Sequence, residues 1–208
     1  MNQGVLIYNA RLLDESIDSP GAILIVNKKI RAVFQGYFTD SKTVQQFAVS
    51  ILAEDGLDEM PLDFYDARGL TITPAFIDMH VHTRYPGQTH KEDLTSALRA
   101  AAAGGFGTVV AMPNTNPVVS SMELAKQIEK EAAAIGLTHL FQSVSITKDF
   151  DGKTTNHLAE VEREYVPLIT EDGKDVLSSA AMLSAMMTAS IKGLIVGCYC
   201  EDPTLDEY

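Results

Sequence analysis

The chain has 208 residues, 46% of them hydrophobic, so it can form one sizeable domain or a small domain with part of a larger one. Its net charge of -12 and its pI near 4.7 exclude a partner recognised through a phosphate backbone, such as a nucleic acid. No run of about 18 apolar residues occurs and the N-terminus lacks a signal-peptide pattern, so we predict no membrane association and a cytoplasmic location.

The N-terminal part predicts a small β-rich domain over residues 1–70. Between residues 4 and 34, three apolar runs alternate with turn residues, which is typical of antiparallel strands: Val5–Tyr8, Ala22–Val26 and Ile30–Phe34. Residues 37–60 differ, because a helix-compatible run (Val44–Leu52) precedes the acidic patch Glu54–Glu59. We interpret this stretch as a solvated excursion without a chemical role.

From Leu70 onwards, candidate strands alternate with candidate helices, a pattern that predicts parallel strands with right-handed crossovers. The strands are Thr71–Ile77, Thr108–Met112, His139–Ser145, Val166–Ile169 and Leu194–Cys198, and the helices are Lys91–Ala103, Met122–Ile135, His157–Arg163 and Ser178–Ser190. Five such strands fit the first part of a (β/α)₈ barrel. A complete barrel needs about 250 residues, so we expect residues 71–208 to be truncated or to find the missing strands elsewhere.

The most informative motif is Asp78-Met-His80-Val-His82, at the end of the first of these strands. Side chains in a strand alternate between faces, so these three point the same way. Two neutral imidazoles on one face form half of a site for a divalent metal such as zinc. Asp78 could orient one of the ligands.

Other reactive residue types carry weaker signals. Cys198 and Cys200 share one face of a strand and are poorly placed to bridge each other, so we interpret them as buried thiols in a reducing compartment. The remaining histidines receive structural interpretations: His90 opens a helix, His139 starts a strand and His157 lies in a polar loop. Three glycines after the first barrel helix end that helix and allow close packing: Gly104, Gly105 and Gly107.

Several segments, in this order, resemble type I dihydroorotases, which are cyclic amidohydrolases of pyrimidine biosynthesis. The resemblance runs from about residue 71 to residue 205. It is carried by the His82–Asp93 segment, Arg99–Gly107 (RAAAAGGFG), Met112–Pro117, Ile146–Lys148, Thr170–Gly173 and Cys200–Pro203. It implies a partial (β/α)₈ amidohydrolase barrel, about its first five strands, preceded by a small sandwich-type domain in which residues 37–60 are an insertion.

The resemblance also implies roles for individual residues. Asp172 becomes a metal ligand beside His80 and His82, with the neighbouring Glu171 as the alternative, and the site holds one or two zinc ions. Arg84 and Asn114 hold the carboxylate of the substrate. The reaction it implies is the reversible hydrolysis of L-dihydroorotate to N-carbamoyl-L-aspartate.

The sequence departs from the family at several positions. Tyr199 stands where the family places a metal-binding His, and a phenol with a pKa near 10 is a poor zinc ligand at neutral pH. Ala75 stands where Gly is usual and Tyr85 where an acidic residue is common. The family's later metal-site His and its catalytic Asp belong to later strands, so the catalytic group is expected beyond this chain.

These departures leave alternatives open. One is an inactive dihydroorotase-like protein that acts as a structural partner of another subunit, and a further one is a hydantoinase- or allantoinase-type amidohydrolase. The latter families typically use a carboxylated Lys as a bridging ligand, whereas Thr170–Gly173 offers a carboxylate directly. Expected partners are the small-molecule substrate and either a second copy of the chain or an aspartate carbamoyltransferase-type subunit.

Overall fold

The computed structural model describes residues 3–38 and 40–198, so Tyr199 and Cys200 lie outside the described residues. Its contacts divide the chain into two compact units, Met1–Pro74 and Ala75–Tyr208. No helix in the described part of the chain is long and apolar enough to cross a membrane.

The first unit contains one five-stranded mixed sheet. Its strands are β1 (Gly4–Leu13), β2 (Asp18–Val26), β3 (Lys29–Gln35), β4 (Leu62–Asp66) and β5 (Thr71–Ile72). The sheet order is β3-β2-β1-β4, with β5 also paired to β1. The antiparallel arrangement predicted for residues 4–34 is confirmed, whereas β4 and β5 run parallel to β1. Asn27 and Lys28 both have positive φ and form the two-residue turn between β2 and β3.

Helix α1 (Ser41–Glu54) contributes to the core of this unit. Val44, Ala48 and Leu52 are spaced four residues apart, so they form one apolar stripe, and all three are buried in a cluster with strand residues. The interpretation of this stretch as a solvated excursion is therefore wrong for the helix, because an apolar stripe at helical spacing is stabilised by burial. The acidic patch after it is largely exposed.

The second unit alternates strands and helices, which confirms the α/β class. Its strands are β6 (Phe76–Val81), β7 (Phe106–Ala111), β8 (His139–Gln142), β9 (Val144–Ser145), β10 (Leu168–Thr170) and β11 (Ile195–Gly197), and its helices are α2 (Leu94–Ala103), α3 (Met122–Ile135) and α4 (Ser179–Lys192). The strands form two parallel sheets in the described residues, β6-β7-β8 and β9-β10-β11.

Two predicted strands are each divided into two. The strand expected over residues 71–77 ends at Ile72 and a second begins at Phe76, since Pro74 has no N–H to donate to a ladder. The strand expected over residues 139–145 is interrupted at Ser143, whose amide donates to the Ala111 carbonyl over 3.0 Å. The sequence pattern contained both apolar runs but not the breaks within them.

Helix ends follow the capping residues. Helix α3 has the predicted bounds, because the Ser121 hydroxyl accepts the Leu124 amide at one end and Gly136 adopts a left-handed conformation at the other. Helix α2 begins after Asp93, which forms a capping box with Ser96. His90 therefore lies in the preceding turn and does not open the helix.

Other predictions of detail had mixed outcomes. The helix predicted near His157 is a short 3-10 helix, Asn156–Glu160. Gly107 does serve close packing, because a Cβ there would lie 2.6 Å from the Ala75 methyl group. The interpretation of Cys198 as a buried thiol is wrong: it is free and exposed just after β11, which is an edge strand among the described residues.

Candidate metal centre

Three side chains from two separate parts of the second unit converge on one point. His80 lies in β6, His82 follows its last residue, and Asp172 follows β10. The Nε2 atom of His80 lies 3.2 Å from Asp172 Oδ1, and that of His82 lies 3.5 Å from Asp172 Oδ2. One ligand atom from each residue lies within 4.8 Å of the others, so a single cation can contact all three.

Strand geometry accounts for the histidine pair. Residues two apart project from the same face of an extended chain, and the two imidazole rings lie 5.3 Å apart between centroids. Asp78, the third residue of the motif, acts on the backbone: its Oδ1 accepts the His80 amide over 3.0 Å. It thus supports the backbone that carries His80.

Asn114 lies between two of the candidate ligands. Its Oδ1 is 3.1 Å from His82 Nδ1, and its Nδ2 donates to Asp172 Oδ2 over 2.7 Å. An amide oxygen can only accept, so this pairing assigns the ring hydrogen to Nδ1 of His82. Nε2 then keeps its lone pair and faces Asp172, which is the orientation that a metal ligand requires.

The electrostatic surroundings keep His82 neutral. Partial burial and the positive charge of Arg84 lower the pKa of His82, although Asp172 and the hydrogen bond that His82 donates to Asn114 act in the opposite direction. A neutral imidazole is the form that binds a metal. Arg84, two residues after His82, is close enough for its charge to act on that imidazole.

The two neighbouring carboxylates after β10 have different partners. Asp172 is 6% exposed and faces the histidines. Glu171 is equally buried, but its carboxylate accepts the amide (2.9 Å) and the hydroxyl of Thr147. Burial raises the pKa of Glu171. Of the two candidates offered by the sequence, Asp172 is the one that reaches the histidine pair.

The donor set fits a divalent metal of the zinc type. Two imidazole nitrogens and one carboxylate oxygen are ligands that zinc prefers, and catalytic zinc sites characteristically use three protein ligands and leave a position for water or substrate. Tyr199 lies outside the described residues. Sequence reasoning missed the contacts of Asn114 with both His82 and Asp172, because nothing in local spacing connects these positions.

The other histidines stay outside this cluster. His139 starts β8 as predicted and packs edge-on against Phe141. His157 lies 2.9 Å from the Ser145 carbonyl through its Nε2, which agrees with a structural role. His90 is exposed in the turn before α2.

Comparisons with known proteins identify the family of this chain. Residues 69–208 match the family model described as Dihydro-orotase-like. The chain is 36% identical to the dihydroorotase of Aquifex aeolicus over 181 residues, 83% of this chain and 43% of that protein. It is 35% identical to the dihydroorotase of Sulfurihydrogenibium sp. over 205 residues, 98% of this chain and 44% of that protein. The chain thus spans less than half the length of these relatives.

Solved structures share the fold. The L-hydantoinase of Arthrobacter aurescens superimposes with a TM-score of 0.71 at 18% identity, over 100% of this chain and 42% of that one. The D-hydantoinase of a Thermus species gives a TM-score of 0.62 at 20% identity, over 97% of this chain and 41% of that one. At such low identity the likeness concerns the fold alone.

Proposed function

This chain belongs to the dihydroorotase-like family, and on that premise we propose that it carries the metal centre and part of the substrate site of a dihydroorotase. The reaction is the reversible hydrolysis of L-dihydroorotate to N-carbamoyl-L-aspartate. The observation that supports it best is the convergence of His80, His82 and Asp172 within 4.8 Å, inside the segment that matches the family.

The architecture that we propose is the N-terminal part of a (β/α)₈ barrel over residues 71–208, after a small β-rich domain over residues 1–70. Two features support it: parallel strands that alternate with helices, and candidate ligands that follow the carboxyl ends of strands, where barrel enzymes gather their reactive groups. We place the remaining strands and the family's proton-moving Asp in a segment beyond these residues.

We assign the metal to His80, His82 and Asp172, and zinc is the ion that this donor set favours. When bound, the ion supplies a water of lowered pKa and polarises a carbonyl oxygen. The chain's own residues then have separate tasks. Asn114 holds His82 in the tautomer that leaves Nε2 free, and it donates a hydrogen bond to the Asp172 carboxylate, which faces both histidines.

Arg84 is the residue that we assign to the substrate carboxylate. Its guanidinium is a natural bidentate partner for a carboxylate. Its positive charge lowers the pKa of His82, so Arg84 lies near the metal ligands. Asn114 can also contact the substrate, because an amide both donates and accepts. A cation beside the metal thus attracts an anionic substrate despite the net charge of -12 of the whole chain.

Two other functions remain as alternatives: a non-catalytic structural partner of another subunit, and a hydantoinase-type activity. The structural-partner function rests on Tyr199, which stands where the family places a metal-binding His. The second is disfavoured by Asp172, a carboxylate that reaches the histidines directly.

Calorimetric titration of the zinc-loaded chain with L-dihydroorotate tests the proposal, with hydantoin as the competing ligand. We expect zinc-dependent binding of dihydroorotate and weaker binding of hydantoin, which lacks the carboxylate. Arg84→Met should weaken dihydroorotate binding at least about tenfold, whereas Arg99→Met, the same change on the exposed side of α2, should not.

Absence of zinc binding, or a preference for hydantoin, would contradict the proposal. Zinc-dependent release of N-carbamoyl-L-aspartate by the chain would in addition exclude the non-catalytic alternative.

A further inference from the structure

The loop that carries Asp172 begins where the strand pairing of β10 stops. Among the described residues, β10 pairs with β9 and with β11, and both ladders end at Thr170. Asp172 lies two residues further along the chain, beyond the hydrogen bonds of either ladder. The direction of its carboxylate towards the histidine pair therefore depends on contacts made within the loops, and not on the sheet.

Glu171 and Thr147 join the loop after β10 to the loop after β9. Thr147 donates twice to the Glu171 carboxylate, through its amide to Oε2 over 2.9 Å and through its hydroxyl to Oε1. The two residues are 3% and 0% exposed. Thr147 is itself held, because its Oγ1 accepts the Gly152 amide over 3.0 Å. Since release of either contact would leave buried polar groups unpaired, this pair fixes the direction of the Glu171 side chain.

We propose that Glu171 and Thr147 are positioning residues of the metal centre, an inference that rests on the metal assignment proposed above. Glu171 points to the loop after β9, whereas its neighbour Asp172 points to His80 and His82. Because the two acidic residues are consecutive, holding the first one fixes the backbone that carries the second. The pair thus holds Asp172 in place before an ion arrives, and it keeps the Glu171 carboxylate away from the histidines.

Thr138 provides a matched comparison for the loss of a buried hydroxyl. It is 6% exposed, and its hydroxyl donates to the Phe106 carbonyl over 3.1 Å. It precedes β8, so it lies at the amino end of a strand, whereas the candidate ligand Asp172 follows the carboxyl end of β10. Thr138→Val therefore measures what such a change costs the fold alone, without an effect on the metal centre.

Binding of Zn²⁺ and Co²⁺ to the 208-residue chain tests the pair. Thr147→Val keeps the shape but removes the hydroxyl, so zinc affinity should fall about 10–100-fold, and the visible absorption of bound Co²⁺ should change because it reports the coordination geometry. Thr147→Ser restores the hydroxyl and should recover most of the affinity. Thr138→Val should change neither measurement. Wild-type zinc affinity in Thr147→Val, or a loss in Thr147→Ser as large as in Thr147→Val, would overturn the proposal.

Hydrogen exchange of the metal-free chain tests the pair without any ion. The Lys174 amide, which donates to the Glu171 carbonyl over 2.8 Å, reports on the turn that contains Asp172. Thr147→Val should speed exchange in residues 170–174 at least about tenfold, because the turn loses the contact that holds it. Thr138→Val should leave the exchange of these residues unchanged.

Glu171→Gln is the second variant, and it leaves Thr147 unaltered. Its single side-chain oxygen must serve two donors, so exchange in residues 170–174 should rise here as well. Glu129→Gln, the same change at a half-buried carboxylate beneath β8, is the control and should not affect this segment. Unchanged exchange in Thr147→Val and Glu171→Gln would overturn the proposal. A wild-type chain that binds no zinc would contradict the proposed function, whereas the exchange rates would still decide the role of the pair.

Discussion

Each unit of the molecule places a nitrogen-bearing side chain beside an aspartate, which is exposed in the first unit and buried in the second. In the first unit, Arg11 contacts Asp18 through two hydrogen bonds of 2.7 and 2.8 Å, and both side chains are more than half exposed. In the second unit, the Asp172 side chain is 7% exposed and faces His80 and His82 at somewhat longer distances. The shorter contacts are the less consequential ones, because water screens the exposed pair.

The same contrast holds for two Asn–Asp contacts. Asn9 donates to Asp66 over 2.9 Å on the surface of the first unit, and Asn114 donates to Asp172 over 2.7 Å in the second. Their lengths are nearly equal. Only the second pair is sheltered from solvent, and only there does the amide also contact an imidazole. The candidate site therefore differs from the surface contact in its burial and in the additional contact of the amide with an imidazole, and not in the length of the hydrogen bond.

The largest effect should come from Asp172→Asn. This change keeps the volume but removes the negative charge that faces both histidines, so we expect zinc affinity to fall by more than about 100-fold, beyond the range for groups that only support a ligand. Competition with a chelating dye measures it. Asp18→Asn, the same change in the exposed pair, should leave zinc affinity unchanged, and equal losses in the two variants would remove the distinction between the units.

Asn114→Ala should have the next largest effect. The loss of the contact that fixes the His82 tautomer should lower zinc affinity about 10–100-fold, as expected for a group that orients a ligand. Asn9→Gly is the control in the first unit, since Asn9 has a φ of 57° and glycine tolerates that conformation without strain. An unchanged zinc affinity in Asn114→Ala would show that Asn114 does not support the metal site and would leave it only the contact with the substrate.

Glu129 allows a half-buried carboxylate of the second unit to be compared with an exposed one of the first unit through the pH dependence of stability. It is half-buried beneath β8, where it accepts the Gln142 amide over 3.0 Å, and burial raises its pKa to about 7. Its folded-state pKa exceeds the unfolded value, so the stability linked to its protonated form is present below about pH 4.5 and is lost as pH rises towards 7. Glu129→Gln should therefore stabilise the chain at pH 8 by about 1–2 kcal/mol, after allowance for solvent screening, and by little at pH 4.

Urea unfolding at the two pH values measures this difference. The control is Glu15→Gln, at an exposed position of the first unit. It should show no gain that depends on pH. A gain of equal size in both variants would attribute the effect to net charge and not to burial.

The smallest effect is expected for Arg11→Ala. The hydrogen bonds between Arg11 and Asp18 lower the pKa of Asp18 and raise the pKa of Arg11. Both groups nevertheless remain exposed to water. We expect no measurable shift in the midpoint of urea unfolding at 0.5 M salt. A clear loss of stability that persists in salt would show that the exposed pair is not screened.

Much of the fold could be predicted because its signals are local. Helix α3 lies between Ser121 and Gly136, which are recognisable capping residues, and its bounds were predicted without error. Helix α1 was misjudged because its apolar stripe does not reveal whether a core lies beside it. Cys198 was misjudged for the related reason that an apolar neighbourhood in sequence does not ensure burial.

For the candidate site, the alternation of a strand was sufficient to bring His80 and His82 to one face, and the family resemblance added Asp172 as their partner. Without the resemblance, the residues alone could not choose between Glu171 and Asp172, and nothing in the sequence connected Asn114 with His82 or Asp172. Those choices depend on which groups meet after strands far apart in the chain are brought side by side. Contacts between distant segments arise from packing, and no local spacing encodes them.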